Sequence, residues 1–100
     1  MMNQEMSTLK RLEEWYSAHC NSDWEHGYGI KIETLNNPGW SVDIDLMDTE
    51  LENKNYQAIK IERHTDDWLH CFLQEGKFKI RCGPQNLEEA LEIFLSWSAL

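Results

Sequence analysis

Residues 28–46 read YGIKIETLNNPGWSVDIDL, and this stretch decides the fold. Apolar residues alternate with polar ones over 28–33 and again over 40–47, and a period of two is typical of a β-strand with one buried face. Between the two halves lies Asn36-Asn37-Pro38-Gly39, where proline fixes φ and glycine can supply the positive φ of a type II turn. The stretch therefore predicts a β-hairpin.

Three further segments after the hairpin alternate in the same way, and short polar or glycine-containing breaks separate them. These segments, each predicted to form a strand, are 56–64, 68–74 and 77–82. Because the breaks between them are short, consecutive strands are expected to pair with each other. The sequence thus predicts a five-stranded antiparallel meander.

A helix is predicted on each side of the strands, because apolar residues recur there every three to four positions. The first helix covers about 6–20, and its apolar positions are Leu9, Leu12, Tyr16 and Cys20. The second follows Gly83-Pro84, with Asn86 as N-cap and Glu89 completing a capping box. The order indicates an α+β fold, one domain over 1–100, with both helices packed on one face of the sheet.

The charge balance excludes two classes of partner. The 100 residues include 18 acids and 9 bases, for a formal charge of −9, whereas nucleic-acid binding and docking on an anionic membrane both need a basic surface. Three cysteines give no disulfide framework, and the N-terminus lacks the pattern of a signal peptide. We therefore expect a cytoplasmic protein, with its densest acidic stretch on the solvent-exposed face of the sheet.

Two chemical functions compete with a binding function. His19, Cys20 and His26 are residue types that ligate zinc, although their spacing matches no known zinc site, so a zinc-binding regulatory module is one alternative. Cys82 precedes a helix N-terminus, which can stabilise a thiolate, so a small cysteine-dependent enzyme of sulfurtransferase type is the other. Its loop, however, lacks an arginine and contains a proline, and we expect neither catalysis nor a metal or other cofactor.

Short motifs in a fixed order make the chain resemble the immunity protein 53 family of bacterial polymorphic toxin systems. The residues that carry the resemblance are Trp24, Glu25, His26, Gly29, Asn37, Pro38, Gly39 and Trp40. The likeness extends from the first helix to the last. It implies a small cytoplasmic protein that protects its producer by binding the C-terminal domain of a cognate toxin.

Many toxins of such systems attack nucleic acids through a basic cleft, so a basic nuclease is a partner that would suit an acidic protein. We expect the toxin-binding surface to comprise acids of the second strand and the segment after it, with nearby aromatic and polar residues. This predicted set is Asp43, Asp45, Asp48, Glu50, Glu52, Trp24, Glu25, His26 and Trp40. Trp24 and Trp40 are expected to be partly exposed, and the protein itself to be a monomer or a weak homodimer.

Overall fold

The structure, a computed structural model, describes residues 6–100 and consists of helices on one side of an antiparallel sheet. The helices are α1 (Thr8–His19), α2 (Trp24–Gly27) and α3 (Leu87–Ser98). The strands are β1 (Ile30–Leu35), β2 (Gly39–Asp45), β3 (Ile59–His64), β4 (Asp67–Gln74) and β5 (Lys77–Cys82). The short helix α2 lies in a segment that the sequence pattern left without regular structure. No helix within residues 6–100 has the length and apolar character needed to cross a membrane.

The predicted fold class is confirmed, and the strand order adds one feature. The sheet runs β1-β2-β5-β4-β3, so β2 pairs with β5 and not with the next strand in sequence. The connection 46–58 carries the chain past β5 and β4 to the far edge. The sheet is therefore a hairpin joined to a three-stranded meander, rather than one meander of five strands.

The core lies between the helices and one face of the sheet. Val42 is opposite Ile80 and Ile44 is opposite Phe78 across the β2–β5 pair, and all four side chains are fully buried. Phe94 of α3 packs over them, with its ring 5.1 Å from that of Phe78. Leu12 of α1 belongs to the same buried cluster, so both helices cover the same face, as predicted.

Close contact between β2 and the end of β5 explains the glycine of the N-P-G-W motif. A Cβ on Gly39 would lie 2.2 Å from the carbonyl oxygen of Cys82, so only glycine fits. Next to it, the indole Nε1 of Trp40 donates to the Pro84 carbonyl at 3.0 Å. The expectation that Gly39 supplies a positive φ is wrong: it lies in β2, after a cis Asn37–Pro38 peptide bond, and its φ is not positive.

We expect Gly39→Ala to destabilise the protein by about 1–3 kcal/mol, because the added methyl group overlaps a backbone carbonyl that cannot move without separating β2 from β5. The matched control is Gly27→Ala, where a Cβ would meet nothing within 4 Å. Urea unfolding measures both: the midpoint should fall for Gly39→Ala and hold or rise for Gly27→Ala. Equal midpoints for the two variants would contradict the assignment.

Candidate binding surface

Two of the predicted binding carboxylates, Asp43 and Asp45, form ion pairs on the face of the sheet that the helices leave open. Lys77 Nζ lies 2.7 Å from Asp45 Oδ1, and Arg81 Nη1 lies 3.1 Å from Asp43 Oδ1. Lys79 Nζ is 3.6 Å from the other oxygen of Asp43. Only 25% of the Asp43 side chain and 18% of the Asp45 side chain are exposed. The two acids therefore lie on the open face, as predicted, but three bases of β5 lie beside them and pair with their charge.

The open face as a whole is close to electrically balanced. Strand alternation and register place five bases on it: Lys31, Lys60, Lys77, Lys79 and Arg81. The same criteria place four acids there: Glu33, Asp43, Asp45 and Glu62. The excess negative charge of the chain must therefore lie elsewhere.

Much of that excess gathers at the end of the sheet where β2 stops and β5 starts. We call this region the acidic end and define it by six residues: Asp23, Glu25, Asp48, Glu50, Glu52 and Glu75. Two contacts bring their segments together. Trp24 Nε1 donates to the Met47 carbonyl at 2.9 Å, and the Leu46 amide donates to the Gly76 carbonyl at 2.9 Å.

The W-E-H motif, residues 24–26, contributes more to the structure of the acidic end than to its exposed surface. Trp24 is only 4% exposed and packs among aromatic rings, so the expectation of a partly exposed indole is wrong. The Glu25 carboxylate accepts from the amides of Asn21 and Ser22 at 2.9 and 2.8 Å. Hydrogen bonds from backbone amides lower the pKa of the Glu25 carboxyl below its usual value; the amide of Glu25 itself has the largest effect, followed by that of Asn21. His26 is the exposed member of the motif.

Glu50 is tied to α1 through His19. The imidazole Nδ1 lies 2.8 Å from the Trp15 carbonyl and Nε2 lies 2.8 Å from Glu50 Oε1. A carbonyl and an ionised carboxylate only accept, so a doubly protonated ring satisfies both contacts. The hydrogen bond from His19 lowers the pKa of the Glu50 carboxyl. This pair attaches the segment after β2 to the end of α1.

The structure does not bring all nine predicted binding residues onto one surface. Glu25, His26 and the acids of the segment after β2 lie at the acidic end, where Trp24 is buried beneath them. Trp40 is half-buried, as expected, but five residues of extended strand separate it from Asp45, a distance of about 17 Å. Trp40 therefore lies at the opposite end of the sheet.

Sequence reasoning left Asp23 and Glu75 out of the predicted binding set. Glu75 comes to the acidic end because its turn is hydrogen-bonded to the segment after β2. No sequence signal locates it, because its position depends on the pairing of β2 with β5, which local alternation does not predict.

Neither chemical alternative gains support from the geometry. Cys82 is fully buried, and burial raises the pKa of its thiol to about 11, whereas a nucleophilic cysteine needs a lowered pKa. Both ring nitrogens of His19 are engaged, and Cys20 Sγ contacts the Tyr16 carbonyl at 3.4 Å. Across residues 6–100, no group of three or more His, Cys, Asp or Glu side chains is arranged to hold a metal ion.

Comparison with known families gives one match: the family described as Immunity protein 53 matches residues 9–99, nearly the whole chain. The chain therefore belongs to the immunity protein 53 family. No curated protein matches it, and no solved structure does.

We expect the contribution of Glu50 to stability to depend on pH with a defined sign. Because His19 lowers the folded-state pKa of Glu50 below its usual 4.5, the pair stabilises the fold above that pH, and its contribution is lost as the pH falls through the lowered pKa. Urea unfolding should show Glu50→Gln less stable than the parent at about pH 5.5, with the gap narrowing below pH 4.5.

The control for this pH dependence is Glu52→Gln, which removes a carboxylate from the same segment without touching His19. It should leave most of the pH dependence of the parent in place. A gap between Glu50→Gln and the parent that does not change with pH would show that the His19 contact contributes nothing.

Proposed function

We propose that this immunity protein neutralises a cognate toxin by direct stoichiometric binding, and that the acidic end is the surface that contacts the toxin. The observation that carries the proposal is how few basic partners its carboxylates have: among residues 6–100, only Glu50 has a basic side chain in ion-pair distance, His19. Within residues 6–100, no lysine or arginine lies in ion-pair distance of any of its six carboxylates. The acids of the open face, by contrast, are matched by bases.

Uncompensated carboxylates favour a basic partner. The C-terminal domain of a toxin that cuts nucleic acids needs a basic cleft for phosphates, and carboxylates can occupy the same cleft. Complementary charge also accelerates encounter, which matters for an inhibitor that must act before damage is done. We therefore propose a basic nuclease domain as the partner and the cytoplasm of the producing cell as the site of action, with no cofactor and no turnover.

Several carboxylates of the acidic end are held in place before any partner arrives. Glu25 is fixed by two backbone amides, Glu50 by His19, and Glu52 by the Asp48 amide at 3.0 Å. Side chains that are already ordered lose less conformational entropy on binding. His26 and Met47, both exposed at the same end, add surface that is not acidic.

The proposal predicts the effect of reversing charge at this end only. In the triple variant Asp23→Lys, Glu52→Lys, Glu75→Lys, none of the replaced side chains belongs to an ion pair. The change removes only the exposed hydrogen bond from the Asp48 amide to Glu52, so the fold should be retained. Association with the cognate toxin domain should slow by about tenfold or more at low salt, and protection of cells expressing that toxin should be lost. Stopped-flow association and a growth assay measure the two effects.

The matched control carries the same change in net charge elsewhere on the surface, as Glu14→Lys, Asp66→Lys, Glu88→Lys. It should protect cells almost as well as the parent, because the proposal makes protection depend on where the acids lie and not on net charge alone. If the acidic-end variant binds and protects like this control, the acidic end is not the binding surface. The family assignment would be unaffected by that result.

A further inference from the structure

One edge of the sheet is a strand with free hydrogen-bonding groups. In the described part of the chain β1 pairs only with β2, and the Gly29 carbonyl accepts from the Asp45 amide at 3.0 Å. Because inward and outward groups alternate along an antiparallel strand, Lys31 and Glu33 also bond toward β2. The amides and carbonyls of Ile30, Ile32 and Thr34 therefore point away from the sheet, and no side chain or backbone group of residues 6–100 bonds to them.

An apolar groove runs beside this edge on the face that carries the helices. It has a volume of about 530 Å³ and lies between α1 and β1, with Leu12 and Tyr16 on the helix side and Tyr28, Ile30 and Ile32 on the strand side. Ile32 is 40% exposed and Tyr16 is 37% exposed. An open edge beside exposed apolar side chains fits a partner that adds a β-strand.

We infer that this partner is a second copy of the same chain, whose β1 pairs antiparallel with β1 about a two-fold axis at Ile32. In this register Ile32 lies opposite its own copy, and Ile30 lies opposite Thr34 of the partner subunit. These are the residues whose backbone groups point outward, so the junction gains up to about six main-chain hydrogen bonds. The two sheets then form one continuous sheet.

Charge selects this register from its neighbours. With the axis at Ile32, Lys31 lies directly opposite Glu33 of the partner subunit, at a closely spaced cross-strand position. The two-fold axis makes two such pairs, both on the open face of the joined sheet. With the axis at Lys31 or at Glu33, like charges meet directly, which is destabilising. An axis that passes between two residues shifts the pairing by one residue. Charged side chains of one strand then lie on the side of the groove, which is apolar. A lysine on an edge strand usually discourages pairing, but here the glutamate two residues on makes the strand complementary to itself.

The dimer covers exposed apolar surface and leaves the acidic end free. The two copies of Ile32 meet on the helix side, where the grooves of both subunits join and Tyr16 of each faces the junction. The strands run in opposite directions, so the two acidic ends lie at opposite ends of the joined sheet. Self-association therefore does not depend on toxin binding and does not compete with it.

The test exchanges the two charges separately. Lys31→Glu makes the strand acidic at both positions, and Glu33→Lys makes it basic at both. Each variant alone should raise the dimer dissociation constant at least about tenfold relative to the parent, because both cross-strand pairs become repulsive. An equimolar mixture of the two variants should associate again, as a heterodimer. Sedimentation velocity over a concentration series measures all three samples.

Lys60→Glu is the matched control, since it makes the same charge change on β3, the other edge strand, and should leave the dimer intact. Circular dichroism verifies that each variant is folded, which the exposure of both altered side chains favours. A parent protein that stays monomeric up to its solubility limit overturns the inference. So does a dimer that Lys31→Glu leaves unchanged, or a mixture of the two variants that remains monomeric.

Discussion

The pairing of β2 with β5 is the constraint on which the rest of the structure depends. It joins a hairpin from the first half of the chain to a meander from the second, and its ion pair between Asp45 and Lys77 spans 32 positions in sequence. The junction needs a residue without a side chain at Gly39, because the Cys82 carbonyl lies where a Cβ would be. Once the two strands are adjacent, their apolar side chains form a single surface for both long helices.

The same pairing separates the acids of β2 from the acids that follow it. Asp43 and Asp45 come to lie beside three bases of β5, so their charge contributes to holding the sheet together. The acids just after β2 lie beyond the reach of the β5 bases, and the turn that carries Glu75 joins them. Whether a carboxylate pairs with a β5 base therefore depends on its position relative to β5, and not on how many acids surround it in the sequence.

Local periodicity was enough to predict the strands, the two long helices and the faces they bury, because the alternation of side chains is a property of each segment alone. It could not predict which distant strand lies beside β2, since many orders satisfy the same alternation. For that reason it could not show that Asp43 and Asp45 are paired with bases of β5. Trp24 was predicted to be partly exposed for a related reason. Its indole is buried because it reaches the Met47 carbonyl, a partner 23 positions away in sequence.

The motif residues that reveal the family mostly perform structural work. Trp24, Gly39 and Trp40 each contact the backbone of a segment distant in sequence, so they fix where loops and strands meet. Requirements of this kind come from the scaffold and not from contact with a partner. Partner choice must then reside in exposed side chains that the scaffold does not need. Under the proposed function these side chains belong to the acidic end, where His26 is the exposed residue of the W-E-H motif.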